Sequence, residues 1–250
     1  MADEILTERR DRILVITLNR PEAKNAVNGP LADALNAAIE ELDEDAGLTA
    51  GVITGAGGGF SSGMDLKWFA TKGPPAGFAK FLQTGAKKPL IAAIEGFALA
   101  GGLEMALTCD LLVAADNVRF GIPEVKRGLF AAGGALMRLP RVIPHGVAME
   151  MALTGDPIPA QRALELGLIA RVSAPGAALD VALELATTIA QNAPLSVAVS
   201  KKMIVDSYGR TEEEFWAHQG PESGKIVASK DAQEGSRAFA EKRTPKWSGN

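Results

Sequence analysis

The chain has 250 residues, 47% of them apolar and 22% charged, enough to bury a sizeable core in one large domain or two small ones. With a net charge of -4 and only 5% aromatic residues, it offers neither a basic footprint for phosphate backbones nor stacking platforms for bases, which argues against a nucleic-acid surface. Cys109 is the single cysteine, so an intrachain disulfide framework is excluded. Its apolar neighbours Leu107, Leu111 and Leu112 mark it as a small buried hydrophobe rather than a nucleophile.

Met1 to Asp11 carries charges of both signs and no apolar h-region, so no secretory leader is expected. Ile13 to Leu18 is β-branched and apolar and stops at the turn Asn19-Arg20-Pro21, which predicts a strand. Asn28-Gly29-Pro30 opens a helix to about Asp43, with Leu31, Leu35, Ala38, Ile39 and Leu42 on one face. Gly51 to Thr54 reads as a short buried strand, ended by the glycine run at 55–59. Met64 to Ala70 reads as a helical turn broken by Gly73-Pro74-Pro75, and Phe78 to Thr84 as a short helix. Leu90 to Ile94 is a third strand, a helix starts near Gly101, and Leu111 to Ala114 is a fourth strand. The alternation predicts a parallel sheet with crossover helices.

From about Gly133 the pattern turns helical. Met149 to Leu153, Pro159 to Leu166, Ala177 to Gln191, Pro194 to Val205, Thr211 to Val227 and Asp231 to Lys242 all read as helices, interrupted by one strand, Leu168 to Val172. The alanine-rich run near 90–107 is broken by Glu95, Gly96, Gly101, Gly102 and Glu104, and no apolar stretch approaches a membrane span. A cytoplasmic protein is the expectation.

Familiar motifs fail on inspection. The glycines at 55–59 lack the Gly-Lys-Ser/Thr ending of a phosphate loop. There is no Gly-X-Ser-X-Gly elbow, and His145 and His218 stand apart, without a clustered carboxylate and nucleophile. Two histidines and one cysteine, widely separated, argue against zinc.

Two segments make chemical sense together. Phe60-Ser61-Ser62-Gly63-Met64-Asp65-Leu66-Lys67 is a glycine-bearing loop entering a helix, and Gly96 to Glu104 is a small-residue stretch leading from a strand into another. Each leaves backbone N–H groups unpaired at a helix start, and two such starts facing one point would receive developing negative charge. Glu104 lies in an otherwise apolar stretch, where a lone carboxylate is costly to bury unless paired or functional. Glu124 follows Pro123 at a strand end, as either a helix-entry residue or a functional partner.

In this order the segments resemble the enoyl-CoA hydratase/isomerase (crotonase) family over nearly the whole chain. Asn19 to Ala26 is similar to its first-strand exit, Phe60 to Lys67 to its first oxyanion loop, and Gly96 to Asp110 and Phe120 to Gly134 to its catalytic segments. Leu153-Thr154-Gly155, Ala163 to Val172 and Phe239 to Arg243 resemble later landmarks. The resemblance implies an α/β, crotonase-like spiral of ββα units over residues 1–195 and a helical C-terminal trimerisation region over 196–250, assembled as a homotrimer or a dimer of trimers. It implies an oxyanion hole from the N–H groups of Met64 and Gly101, Glu104 as the base that activates water, and Glu124 as the acid that protonates Cα. The substrate would be an acyl-CoA thioester of lipid metabolism, with no metal or redox cofactor.

By the same resemblance, Ala23, Lys24 and Ala26 lie near the pantetheine and phosphates, and Gly63, Asp65, Leu66 and Lys67 near the adenine. Lys242 approaches the phosphate from a neighbouring subunit; for each lysine, plain surface solvation is the alternative. The sequence departs from the family at Met64, where alanine is common, and at Ala131 and Ala132, where many relatives carry proline and glycine. Met64 would then narrow the pocket, and Phe130 reshape its acyl end. Isomerisation, dehydration or cleavage on the same scaffold, and silent acyl-CoA binding, are the competing readings.

Overall fold

The computed structural model describes residues 3–250. In chain order its strands are β1 (Ile5–Arg10), β2 (Ile13–Leu18), β3 (Ala50–Gly55), β4 (Leu90–Ile94), β5 (Phe97–Leu99), β6 (Leu111–Ala115), β7 (Arg119–Gly121), β8 (Ile158–Pro159) and β9 (Arg171–Ser173). The helices of the first two-thirds are α1 (Gly29–Glu44), α2 (Leu66–Lys72), α3 (Ala76–Thr84), α4 (Gly101–Ala106), α5 (Ala135–Val142), α6 (His145–Thr154) and α7 (Ala160–Glu165). α8 (Ala178–Ala190), α9 (Pro194–Asp206), α10 (Glu212–Val227) and α11 (Lys230–Glu241) follow.

The main sheet runs β1-β2-β3-β4-β6-β9 and the smaller one β5-β7-β8. From β2 to β9 the main sheet is parallel, with Ile16 opposite Ile53, Ile53 opposite Ala92 and Ala92 opposite Leu112. Each of two successive turns of chain places one strand in the main sheet and the next in the smaller one, β4 then β5 and β6 then β7. A bridge from Ser61 to Ala98 extends the smaller sheet by the preceding turn. This is the expected spiral of strand pairs and helices.

Both faces of the main sheet are covered, so its central strands are apolar without interruption rather than alternating. Val52, Ile91, Ala93 and Val113 face Ala182 and Ala186 of α8, and the short alanine side chains let that helix lie close. Ile53, Ala92 and Leu112 face the other way, into the core shared with α1, α3 and α4. Asn28 starts α1 by accepting a hydrogen bond from the Leu31 N–H at 2.9 Å, with Pro30 in the first turn where its missing N–H costs nothing.

Four departures from the sequence reading have physical reasons. β1 pairs antiparallel with β2, Ile5 opposite Leu18, but after Ile5 its residues are exposed, and the charges of Glu8, Arg9 and Arg10 hide the strand. The three strands of the smaller sheet are only two or three residues long, too short for a periodic signal. Pro159 belongs to one of them, and the expected helix begins at Ala160. α5 contains Pro140, a residue that sequence reasoning treats as a helix breaker.

A polar knot ties α9 to the sheet. The Lys201 ammonium of α9 lies 2.7 Å from the Asp110 carboxylate and 2.9 Å from the Lys88 carbonyl, and Asp110 also accepts the Leu90 N–H at 2.8 Å. Arg141 of α5 sits 4.6 Å over the Tyr208 ring beyond the end of α9. Among the described residues, no helix is long and apolar enough to cross a membrane.

Candidate active site

The turn at 20–27, the loop at 60–65 and the start of α4 are laced together by backbone hydrogen bonds. Ser62 N–H donates to the Lys24 carbonyl at 3.0 Å, Val27 N–H to Gly63 at 2.8 Å, and Asp65 N–H to Val27 at 2.9 Å. Leu99 N–H donates to Ser61 at 3.1 Å. Gly63 holds φ +90°, and a Cβ placed there would lie 2.6 Å from the Gly101 nitrogen. A Cβ on Gly101 would in turn lie 3.3 Å from the Met64 nitrogen. Close main-chain approach therefore requires glycine at 63, while position 101 is tight against both Phe78 and the Met64 nitrogen.

Among the described residues, neither the Met64 nor the Gly101 N–H finds an acceptor in the fold. Ala100, immediately before Gly101, is held at φ +51° and ψ -130°, a conformation that costs a non-glycine residue of the order of 1–3 kcal/mol. The strained residue turns the chain into α4 where its first residue packs against the Gly63–Met64 backbone. The two donors predicted to form one receptacle stand side by side.

Glu104, in the first turn of α4, is 5% exposed. Its Oε1 accepts the N–H groups of Gly133 at 2.6 Å and Ala135 at 3.2 Å. Burial holds its carboxyl above the usual carboxylate range, and those two N–H groups and the nearby Arg138 cation offset only part of that rise. Glu124 occupies a 3-10 turn, Pro123–Arg127, and its buried Oε2 has no hydrogen-bond partner. Burial, aided by the charge of Glu104, pushes the Glu124 carboxyl up to about 7. Burial raises both acids, but their partners differ: Glu104 is held by two N–H donors, whereas Glu124 Oε2 has none among the described residues.

Beside Glu124 lies an apolar cavity of about 190 Å³ lined by Ile122, Val125, Phe130, Leu136 and Leu153. Phe130 is 66% exposed and forms part of its rim. A larger hollow of about 430 Å³ lies far along the chain among Lys230, Asp231, Glu234 and Arg243. Its acids are already engaged, Glu234 by Arg243 and Asp231 by Ser248 and Gly249.

Of the residues expected to hold the ligand, Ala23, Lys24 and Ala26 form the turn laced to the Gly63 loop, with Lys24 exposed at φ +54°. Leu66 and Lys67 are exposed on the first turn of α2. Asp65 is occupied within the fold: it caps α2 through the Lys67 and Trp68 N–H groups and pairs with Arg20 at 3.0 Å. Lys242 is exposed at the left-handed cap of α11 and makes no side-chain hydrogen bond or ion pair with the site. The sequence reading missed Gly133, Ala135, Arg138 and Arg20. Only the Gly133-Gly134 doublet carried a signal for them, since N–H donors leave no trace in residue type.

The other candidates resolve as structure. Cys109 is buried and its thiol is pushed up by that burial. His145 is the exposed first residue of α6. His218 does have a carboxylate beside it, Asp206 at 2.7 Å, with Lys202 at 3.2 Å. Among the described residues no group of three His, Cys, Asp or Glu gathers as a metal site.

The two-sheet spiral is accompanied by a match of residues 8–250 to the enoyl-CoA hydratase/isomerase family. The chain belongs to that family, and its fold is the crotonase fold. It is 40% identical to the enoyl-CoA hydratase EchA19 of Mycobacterium tuberculosis, over 98% of this chain and 96% of that one. It is 37% identical to the carnitinyl-CoA dehydratase of Salmonella arizonae over the full length of both. A crystal structure of an enoyl-CoA hydratase from Mycobacterium tuberculosis H37Rv superposes with a TM-score of 0.95 at 51% identity, covering 99% of this chain and all of that one.

Proposed function

We propose that this protein hydrates a trans-2-enoyl-CoA thioester to the 3-hydroxyacyl-CoA. The observation that carries the reading is the pairing of Glu104, whose Oε1 accepts two N–H groups, with Glu124, a carboxyl raised to about 7, near two main-chain donors without an acceptor among the described residues. The thioester oxygen sits between the Met64 and Gly101 N–H groups, which draw electron density from the double bond and leave Cβ open to attack. Glu104 takes one proton from water as its oxygen bonds to Cβ. The resulting enolate collapses and Cα takes the proton of Glu124. The ionised Glu124 and protonated Glu104 then exchange protons with solvent to reset the pair. No metal or redox group is required by this sequence of steps.

The CoA portion runs over the turn of Ala23, Lys24 and Ala26 and past Gly63, Leu66 and Lys67, while Asp65 shapes that surface through its cap and Arg20. The acyl chain points into the apolar cavity beside Glu124. Exposed apolar side chains on the last helices, among them Trp216, Val227 and Phe239 at 60%, 73% and 87% exposure, support a trimer built on residues 196–250 against the 1–195 core. That assembly would bring Lys242 to a neighbour's ligand.

A dehydratase among the relatives supports a second reading, the reverse elimination on a functionalised acyl-CoA. Loss of the conjugated enoyl-thioester absorbance with crotonyl-CoA and a longer enoyl-CoA tests the first. Turnover to 3-hydroxyacyl-CoA that is lost in Glu104→Gln and in Glu124→Gln is the expected result. Tight thioester binding without turnover on either substrate would remove simple hydration.

A further inference from the structure

Arg138 lies one turn into α5, part-buried, and makes no ion pair with a carboxylate among the described residues. Its guanidinium instead grips two carbonyls from different elements. Nη2 donates to Leu82 of α3 at 2.6 Å, and Nη1 donates to Gly133 at 3.2 Å. Gly133 is the residue whose N–H meets Glu104 at 2.6 Å. The fit around this contact is tight: a Cβ on Gly133 would lie 2.4 Å from Glu104 Oε2 and 2.5 Å from Leu82 Cδ1. A Cβ on Gly134, held at φ +111°, would lie 2.4 Å from Arg138 Nη1. The glycine pair lets a part-buried cation and a buried carboxylate both lie close against the 133–135 segment.

We propose that Arg138 is a positioning residue for Glu104, its planar fork tying Gly133 to Leu82 so that the Gly133 and Ala135 N–H groups aim the carboxylate at its water. The role rests on the hydration reading, in which Glu104 is the base. A planar fork with fixed donors suits two carbonyls, one on α3 and one in the loop before α5, better than the single point of a lysine ammonium. The cation also acts through space. Glu104 is faced by Arg138 from α5 and by Glu124 from the 3-10 turn, while Arg138 is faced by Glu104, Arg141 and Cys109. Of these, Arg138 favours the ionised form of Glu104, so its removal moves the protonation of Glu104 to higher pH.

The test compares wild type, Arg138→Lys and Arg138→Met, using crotonyl-CoA turnover from pH 5 to 9 together with a carboxyl-¹³C NMR titration of Glu104, its resonance identified by its loss in Glu104→Gln. For Arg138→Met the expectation is a fall in kcat of about 10²-fold, the scale of an ångström-level misplacement, with KM little changed and the acidic limb of kcat moved to higher pH. Arg138→Lys keeps the charge and loses the fork, so its acidic limb stays near the wild-type position while kcat still falls. A folded Arg138→Met with wild-type kcat and wild-type Glu104 titration overturns the proposal. Should that variant not fold, Arg138→Lys at full kcat overturns it equally. A wild-type protein that does not hydrate the thioester removes the hydration reading, and the NMR titration still decides whether Arg138 governs Glu104.

Discussion

Gly63 and Gly101 meet backbone to backbone, with no room between them for a single methyl group on the first: its Cβ would stand 2.6 Å from the nitrogen of the second. Two distant loops are thereby locked at the spacing that leaves the Met64 and Gly101 N–H groups side by side.

Gly63→Ala is expected to disable the receptacle while leaving most of the fold intact. The new Cβ collides with main chain, and φ +90° is unfavourable for alanine, so the loop must retreat. Loss of one donor of this kind costs about 2.7–4 kcal/mol of barrier, a fall of ~10²–10³-fold in kcat. Met64→Ala leaves the main-chain donor in place and should retain turnover. Side-by-side kinetics of the two variants checks the distinction.

Turnover should follow a bell in pH. The active form needs Glu104 ionised and Glu124 protonated, and with Glu124 at about 7 the basic limb of kcat/KM is expected near neutral pH. Glu104→Gln and Glu124→Gln should each lower kcat by roughly 10²–10⁴-fold. In Glu124→Gln the residual rate should lose that basic limb, which a pH profile with crotonyl-CoA reads directly.

The same carboxyl predicts a stability trend. Its folded value, about 7, stands above its ordinary 4.5, so between those values the unfolded chain ionises while the folded one keeps its proton. The unfolded state binds fewer protons there, and stability falls as pH rises through that window. Replacing Glu124 by Gln removes the loss. The Tm advantage of Glu124→Gln over wild type should therefore be larger at pH 8 than at pH 4.5, as calorimetry at the two values would show.

Lys201→Met should loosen the C-terminal helices. It leaves the Asp110 carboxylate, only partly exposed, with the Leu90 N–H alone, and it strips the Lys88 carbonyl of its donor. A cost of about 1–3 kcal/mol is expected in urea unfolding. Asp110→Asn paired with Lys201→Met should cost less than the sum of the two single changes, because the contact is shared.

The long elements were legible because their pattern and their caps agree. α1 announces itself through Asn28, Pro30 and the Leu31, Leu35, Leu42 stripe, and β4 through five apolar residues after Pro89. β1 and the smaller sheet were not legible, because a strand of three residues or one with a single buried end has no period to read. The glutamates stood out because a carboxylate among Leu103, Met105 and Ala106 demands a reason. Its partners Gly133 and Ala135 did not, since they act through main chain that every residue possesses. The fork of Arg138 was hidden for a related reason: what it touches, two carbonyls, is set by tertiary placement alone.

Every parallel pairing in the main sheet joins residues far apart in the chain, Ile16 with Ile53 and Val113 with Arg171 among them. Closing such loops costs entropy before any contact rewards it, so these turns assemble slowly and late. The proposed site draws on four of them, at Ala23, Gly63, Gly101 and Gly133, and none holds its part alone. Recovery of turnover during refolding should therefore lag behind recovery of helical content, making the reaction itself the last signal of a finished chain.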